Sequence, residues 1–248
     1  EKAGIIKTGS VVVYSGNRQE SAEVIERKAR DKGALCKCVE KLEKQDYRFV
    51  DKKIAFSFFS RYYGYIPIKL NTCAIYQIEN AMLALTALEE SGIEISREAM
   101  QEGIKKCKWE GRMEEILPGV YLDGAHNEDG IEAFVSTVWM DGCSGKRWLL
   151  FSAVADKEYK NMKKKLVDSE LFSYIYAAPL KNVRGISKEE LENILYTGNT
   201  ESREDEIKLQ FGVNKKINDE NIASDFKVRI LDSACEGLQE IMSLKKEN

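Results

Sequence analysis

The stretch Ser10-Val11-Val12-Val13-Tyr14-Ser15-Gly16-Asn17, continued by Gln19–Asp31 and then Ala34-Leu35-Cys36-Lys37-Cys38-Val39, carries the reading of the fold. Residues 10–14 are β-branched and aromatic, and Ser15-Gly16-Asn17 punctuates their end, which predicts a buried strand. Gln19–Asp31 is charged overall but places Ala22, Ile25 and Ala29 on one side. That spacing predicts an amphipathic helix, stopped near Gly33. Residues 34–39 read as a second short strand. A strand–helix–strand succession is the unit of a parallel α/β fold.

The pattern changes downstream. Residues 47–50, 54–59 and 65–70 alternate or are rich in aromatics, with turns between them, and read as antiparallel strands. Residues 76–91 are apolar at almost every position and predict a largely buried helix closed by Gly92. Ser96 is placed to cap a further helix over residues 97–107. Residues 108–119 hold Trp109, Gly111, Pro118 and Gly119 without clean periodicity. A domain boundary is expected there, giving domains of residues 1–108 and 109–248. Strands at 120–122, 148–154, 172–177 and 227–231 then alternate with helices at 127–139, 157–168, 187–195 and 234–244. The charged stretch 199–221 carries no assignment. Four strand–helix units predict a small, open, doubly wound sheet.

Composition narrows the chemistry. The 248 residues contain one histidine, His126, and a formal net charge of -3 from 38 basic and 41 acidic side chains. One imidazole excludes a His-rich metal cluster within the chain and leaves a single base for any Ser/His/Asp or Cys/His mechanism. The near-neutral charge argues against a general nucleic-acid binder. No run reaches the roughly 18 apolar residues of a membrane span. The six cysteines are scattered without a CxxC pair, as expected of reduced thiols in the cytoplasm. The chain opens on Glu1-Lys2-Ala3-Gly4-Ile5-Ile6-Lys7 without an initiator methionine, which suggests a fragment.

The densest cluster of chemistry-bearing residues is Tyr121-Leu122-Asp123-Gly124-Ala125-His126-Asn127-Glu128-Asp129-Gly130. It runs from an apolar strand into a helix, where ligands of open α/β sheets bind. Glycine permits close backbone approach, and the helix start offers N–H groups to an anion. The plain alternative is an ordinary turn with Asn127 as N-cap and an exposed His126. In Trp109-Glu110-Gly111-Arg112-Met113-Glu114, Arg112 could reach a phosphate bidentately or be a solvated linker arginine. Lys2, taken alone, is a terminal lysine. No Walker-type phosphate loop is present. Gly142-Cys143-Ser144-Gly145-Lys146-Arg147 has the wrong spacing and reads as a turn. Lys163-Lys164-Lys165 reads as a solvated helix face.

Glu1-Lys2-Ala3-Gly4-Ile5-Ile6-Lys7, Tyr76-Gln77 with Asn80-Ala81, Gly111-Arg112-Met113-Glu114 and Asp123-Gly124-Ala125-His126-Asn127, in this order, resemble folylpolyglutamate synthases. Their bifunctional bacterial members are also dihydrofolate synthases, and the family belongs to the Mur ligase superfamily. The resemblance covers roughly residues 1–195. It implies an α/β fold: the C-terminal part of a Mur-ligase-type central ATP-binding domain (1–108), followed by a small Rossmann-like glutamate-ligase domain (109–248) lacking its last strand. The implied activity is ATP-dependent amide ligation of L-glutamate to folate, or to dihydropteroate, through an acyl phosphate. The implied cofactors are ATP and Mg²⁺, in a cytoplasmic monomer with no nucleic-acid or membrane partner.

The resemblance also assigns residues. Lys2 matches a lysine that is carbamylated in the superfamily and then helps hold a metal, and Arg112 matches a linker arginine that reaches nucleotide phosphates. These two are the expected catalytic residues. Asn80, Gln77, Arg112, Asp123 and His126 are the expected nucleotide contacts, with Asp123 and His126 assigned to the C-terminal domain. The turn Ala155-Asp156-Lys157 is assigned to the glutamate side. Glu128 departs from the family, where a proline is usual. The family's phosphate loop, its metal-binding histidine and glutamate and its closing Gly-Ser-Leu-Tyr-like block have no counterpart here, so the chain is expected not to ligate alone. A peptidoglycan-precursor ligase and a non-catalytic nucleotide-binding module are the competing readings.

Overall fold

The protein is described here from a computed structural model, covering residues 2–42, 46–152, 159–180, 185–196 and 227–247. The chain divides into two compact units, residues 1–123 and 124–248. The division falls at Asp123/Gly124, later than the 108/109 boundary expected from composition.

In the first unit a 3₁₀ turn, Lys2–Ile5, precedes β1 (Val11–Ser15), α1 (Gln19–Asp31) and β2 (Leu35–Val39). β1 and β2 pair in parallel, Val11 opposite Leu35, as the strand–helix–strand reading requires. Ala29 seals the inner face of α1. The helix stops because Gly33 turns left-handed, with φ 59°, and the Ala34 amide donates back to the Ala29 carbonyl at 2.8 Å.

Strands β3 (Tyr47–Val50), β4 (Lys53–Ser60) and β5 (Gly64–Leu70) form an antiparallel sheet in sequence order. Alternation sets its faces. Ile54, Phe56 and Phe58 of β4 and Ile66, Ile68 and Leu70 of β5 point inward. They pack on Ile78, Ala81 and Leu85 of α2 (Tyr76–Glu90) and on Met100 of α3 (Arg97–Lys106). Ser96 caps α3 as expected, its Oγ accepting from the Ala99 amide at 3.1 Å.

Two short strands close the unit. β6 (Glu114–Leu117) and β7 (Val120–Leu122) are antiparallel, turning at Pro118-Gly119. Residues 120–122, expected to open the second domain's parallel sheet, therefore belong to a hairpin instead. Tyr121 ties that hairpin to the β3–β4 turn, its hydroxyl accepting from Lys52 Nζ at 3.2 Å.

The second unit holds α4 (Glu128–Met140), β8 (Trp148–Phe151), α5 (Tyr159–Asp168), β9 (Tyr174–Ala177), α6 (Lys188–Tyr196), β10 (Lys227–Ile230) and α7 (Ala234–Glu247). Among the described residues its sheet is three parallel strands, in the order β10-β9-β8, rather than four. Tyr176, Ala178 and Leu231 form a core against Trp148, Leu150 and the α7 residues Ile241 and Leu244. Gly237 lets α7 lie close: a Cβ there would meet Leu150 Cδ1 at 2.7 Å. The Gly142–Arg147 segment is an irregular loop that bends at Gly145 before β8. The Arg147 guanidinium donates to Asp141 Oδ1 at 2.6 Å and to the Cys143 carbonyl at 2.8 Å. Of the lysine run, Lys164 is exposed, but Lys163 is half-buried and its ammonium pKa is lowered by desolvation. Lys165 pairs with Glu132 of α4 at 2.7 Å, so the run is only partly a solvated face.

Candidate functional site

Asp123 is the last residue of the first unit and follows β7 directly. Its Oδ2 accepts two hydrogen bonds, from the Tyr76 hydroxyl at 2.6 Å and from the Met113 amide at 3.0 Å. Tyr76 opens α2, and Gln77 and Asn80 follow on the same helix. The Asn80 amide donates to Gln77 Oε1 at 2.8 Å, so the two carboxamides orient each other. Asn80 is exposed and Gln77 is half-buried.

The other arm is the Gly111–Glu114 segment. Gly111 and Met113 are left-handed, with φ 66° and 49°, and the Gly111 amide donates to Glu114 Oε2 at 2.8 Å. Met113 is not glycine, so its conformation carries strain that packing holds: its side chain is buried. That turn aims the Met113 N–H at Asp123 and leaves Arg112 half-buried beside Tyr76. The Tyr76 phenol has a pKa raised far above its ordinary value. Burial is the main cause, followed by the bond to Asp123 and that carboxylate's charge, while the Arg112 cation opposes them. Gln77, Asn80, Arg112 and Asp123 are thus linked through Tyr76 and Met113 within one unit.

Two expected site residues are not among these hydrogen-bonded partners. His126 lies in the second unit, exposed, with Nδ1 2.8 Å from the Gly124 carbonyl. Asn127 does cap α4, its Oδ1 accepting from the Gly130 amide at 2.8 Å. Asp123 and His126, expected on one domain, therefore fall on opposite sides of the unit boundary. Lys2 is exposed on the 3₁₀ turn that packs beside α1. The Ala155-Asp156-Lys157 turn lies outside the described residues. Tyr76 was not expected to have a site role. Its partner is 47 positions away, and no local pattern announces such a contact.

Chemically, the first-unit group can hold a polar ligand with an anionic end. A carboxylate accepts from paired hydroxyls, carboxamides offer donors and acceptors to a heterocycle edge, and Arg112 can fork onto an anion. Among the described residues no group of three or more His, Cys, Asp or Glu side chains could hold a metal ion. Among them, too, no helix is long and apolar enough to cross a membrane.

No family model matches the chain. It is 35% identical over 176 residues to the dihydrofolate synthase/folylpolyglutamate synthase of Bacillus subtilis, covering 67% of this chain and 40% of that protein. Against the Escherichia coli protein of the same name it is 28% identical over 203 residues, covering 80% of this chain and 45% of that one. The folylpolyglutamate synthase of Mycobacterium tuberculosis, solved with ADP and AMPPCP, superposes with a TM-score of 0.77 at 18% identity, over 99% of this chain and 52% of that one. The fold is of the Mur-ligase type, built as a mixed α/β chain. Within that class the chain belongs to the folylpolyglutamate synthase/dihydrofolate synthase family. It spans less than half the length of the curated relatives it matches.

Proposed function

We propose that the protein joins L-glutamate to the carboxyl group of a folate, or of dihydropteroate, at the expense of ATP, and that these 248 residues supply the nucleoside side of the ATP site. The observation that carries this reading is the Asp123 carboxylate, held by Tyr76 on the helix of Gln77 and Asn80 and by the Met113 amide from the Arg112 turn. Family membership supplies the reaction class. The E. coli family member has been solved with ADP, and a folylpolyglutamate synthase with AMPPCP and folate.

The donor set fits a nucleotide. Asp123 receives hydroxyls of the sugar, Asn80 and Gln77 face the base, and Arg112 reaches the phosphates with a fixed cation that need not be reorganised as charge moves. His126, which the resemblance assigns to the nucleotide, lies in the second unit. ATP supplies the phosphoryl group that activates the acceptor carboxyl. The 248 residues include no Gly-x₄-Gly-Lys-Ser/Thr loop, so they account for the nucleoside and for Arg112 only. The donors described here do not assemble a Mg²⁺ site. Lys2 would join one only as a carbamate, whose oxygens are hard ligands. ¹³C-bicarbonate NMR, with Lys2→Arg as the control, reads that modification directly.

In this reading residues 1–108, with the 109–123 segment held to them, end the central ATP-binding domain, and the residues after Asp123 form the glutamate-ligase domain of a cytoplasmic monomer. The Ala155-Asp156-Lys157 turn serves the amino-acid side. The test is a titration of ADP into the protein. Saturable binding that Asp123→Asn and Asn80→Ala each weaken supports the reading, and binding indifferent to both overturns it.

A further inference from the structure

We propose that Tyr76 is a positioning residue of the nucleotide site: its hydroxyl, with the Met113 amide, sets the orientation of the Asp123 carboxylate that receives the ligand. The inference rests on the reading of Asp123 as a nucleotide contact.

Both donors fall on the same oxygen, Oδ2, at 2.6 and 3.0 Å. Two donors converging on one oxygen fix the plane of a carboxylate, and with it the direction of the second oxygen. They come from separate elements, Tyr76 from the start of α2 and Met113 from the left-handed turn after Arg112. The carboxylate is therefore tied at once to the helix of Gln77 and Asn80 and to the segment of Arg112. The Lys52–Tyr121 bond anchors the strand immediately before it. A carboxylate held in this way binds without first losing rotamer freedom, and that cost would otherwise come out of ligand affinity. Phenylalanine would keep the ring and its packing while removing the hydroxyl's fastening.

The Tyr76 phenol itself is raised well above its ordinary range, in part by Asp123. It stays protonated, and a donor, across physiological pH.

The experiment is a double-mutant cycle with ADP as the probe. It uses the protein as its gene encodes it, as wild type, Tyr76→Phe, Asp123→Ala and the double variant. Asp123→Ala should weaken ADP about tenfold or more, the scale of one charged contact. Tyr76→Phe should weaken it severalfold, and the double variant should be no weaker than Asp123→Ala, because nothing is left to orient. Additive losses would overturn the proposal, since Tyr76 would then act on ADP independently of Asp123. Unchanged affinity in Tyr76→Phe would overturn it as well.

Unchanged affinity in Asp123→Ala would remove Asp123 from the nucleotide site, and the proposal with it. Ultraviolet titration separates that case from a failed contact. The wild-type minus Tyr76→Phe difference should show late ionisation that Asp123→Ala moves to lower pH. If Asp123→Ala leaves that difference unmoved, the hydrogen bond itself is absent.

Discussion

Two carboxylates of the first unit illustrate how differently one side chain can be used. Glu89 is buried and accepts from the Ser60 hydroxyl and the Arg61 amide, while Arg61 also pairs with Glu90 at 3.1 Å. The Ser60 Oγ in turn accepts the Tyr62 and Tyr63 amides at 3.2 Å, closing the β4–β5 turn. Glu89→Ala strands the buried Ser60 hydroxyl and should cost about 1–3 kcal/mol in urea denaturation. Asp123, by contrast, is only half-buried, at the end of the first unit. Its neighbour Tyr76 makes stability depend on alkaline pH. The folded phenol keeps its proton past about pH 10, where the unfolded tyrosine has lost it. The unfolded state then binds fewer protons, so this contribution is complete below about pH 10 and declines as pH rises further. Thermal midpoints of wild type and Tyr76→Phe should converge above that pH. A constant difference would contradict the contact. The Asp-Gly-Ala-His-Asn block stood out in the sequence because glycine, carboxylate and helix cap coincide within a few positions, and its Asn127 caps α4 where the turn put it. Tyr76 was not, since an aromatic residue at a helix start reads as packing until its distant partner is seen.

The elements were legible where hydrophobic periodicity was strong. α1, the three antiparallel strands and α2 fall where alternation and helical spacing put them. β6 was missed because Glu114-Glu115-Ile116-Leu117 is half acidic and its strand is largely exposed. The signal that could have found it was Pro118-Gly119, a turn dipeptide that folds residues 120–122 back antiparallel. The same error made Val120–Leu122 into a parallel strand, because a three-residue apolar run has no direction of its own. In the second unit, Gly237 marks where α7 approaches the sheet, a contact that no helical pattern reveals. Gly237→Val must displace Leu150 and Leu231 and should destabilise by about 1–3 kcal/mol, read as a lowered denaturation midpoint. An unchanged midpoint would mean that α7 has room to shift.

At the scale of the whole molecule, the two units divide at Asp123/Gly124, and the residues linked through Tyr76 and Met113 all belong to the first. Composition placed the boundary earlier because residues 108–119 lack periodicity. Hydrogen bonds from Lys52 and Tyr76 are what bind the hairpin and Asp123 to the first unit. The sequence holds no phosphate loop, so these 248 residues assayed alone with ATP, folate and glutamate should show no ligation. Turnover would contradict the division of labour proposed here. The central claim, that Asp123 belongs to a nucleotide site rather than only to the hairpin, is tested most directly by Asp123→Asn. The amide keeps an oxygen for Tyr76 and Met113 but removes the charge. ADP affinity and thermal midpoint are measured on the same preparation of the protein as its gene encodes it. The expected result is about a tenfold loss of affinity, some 1.4 kcal/mol, with the midpoint nearly unchanged. A lowered midpoint with unchanged ADP affinity would contradict the claim.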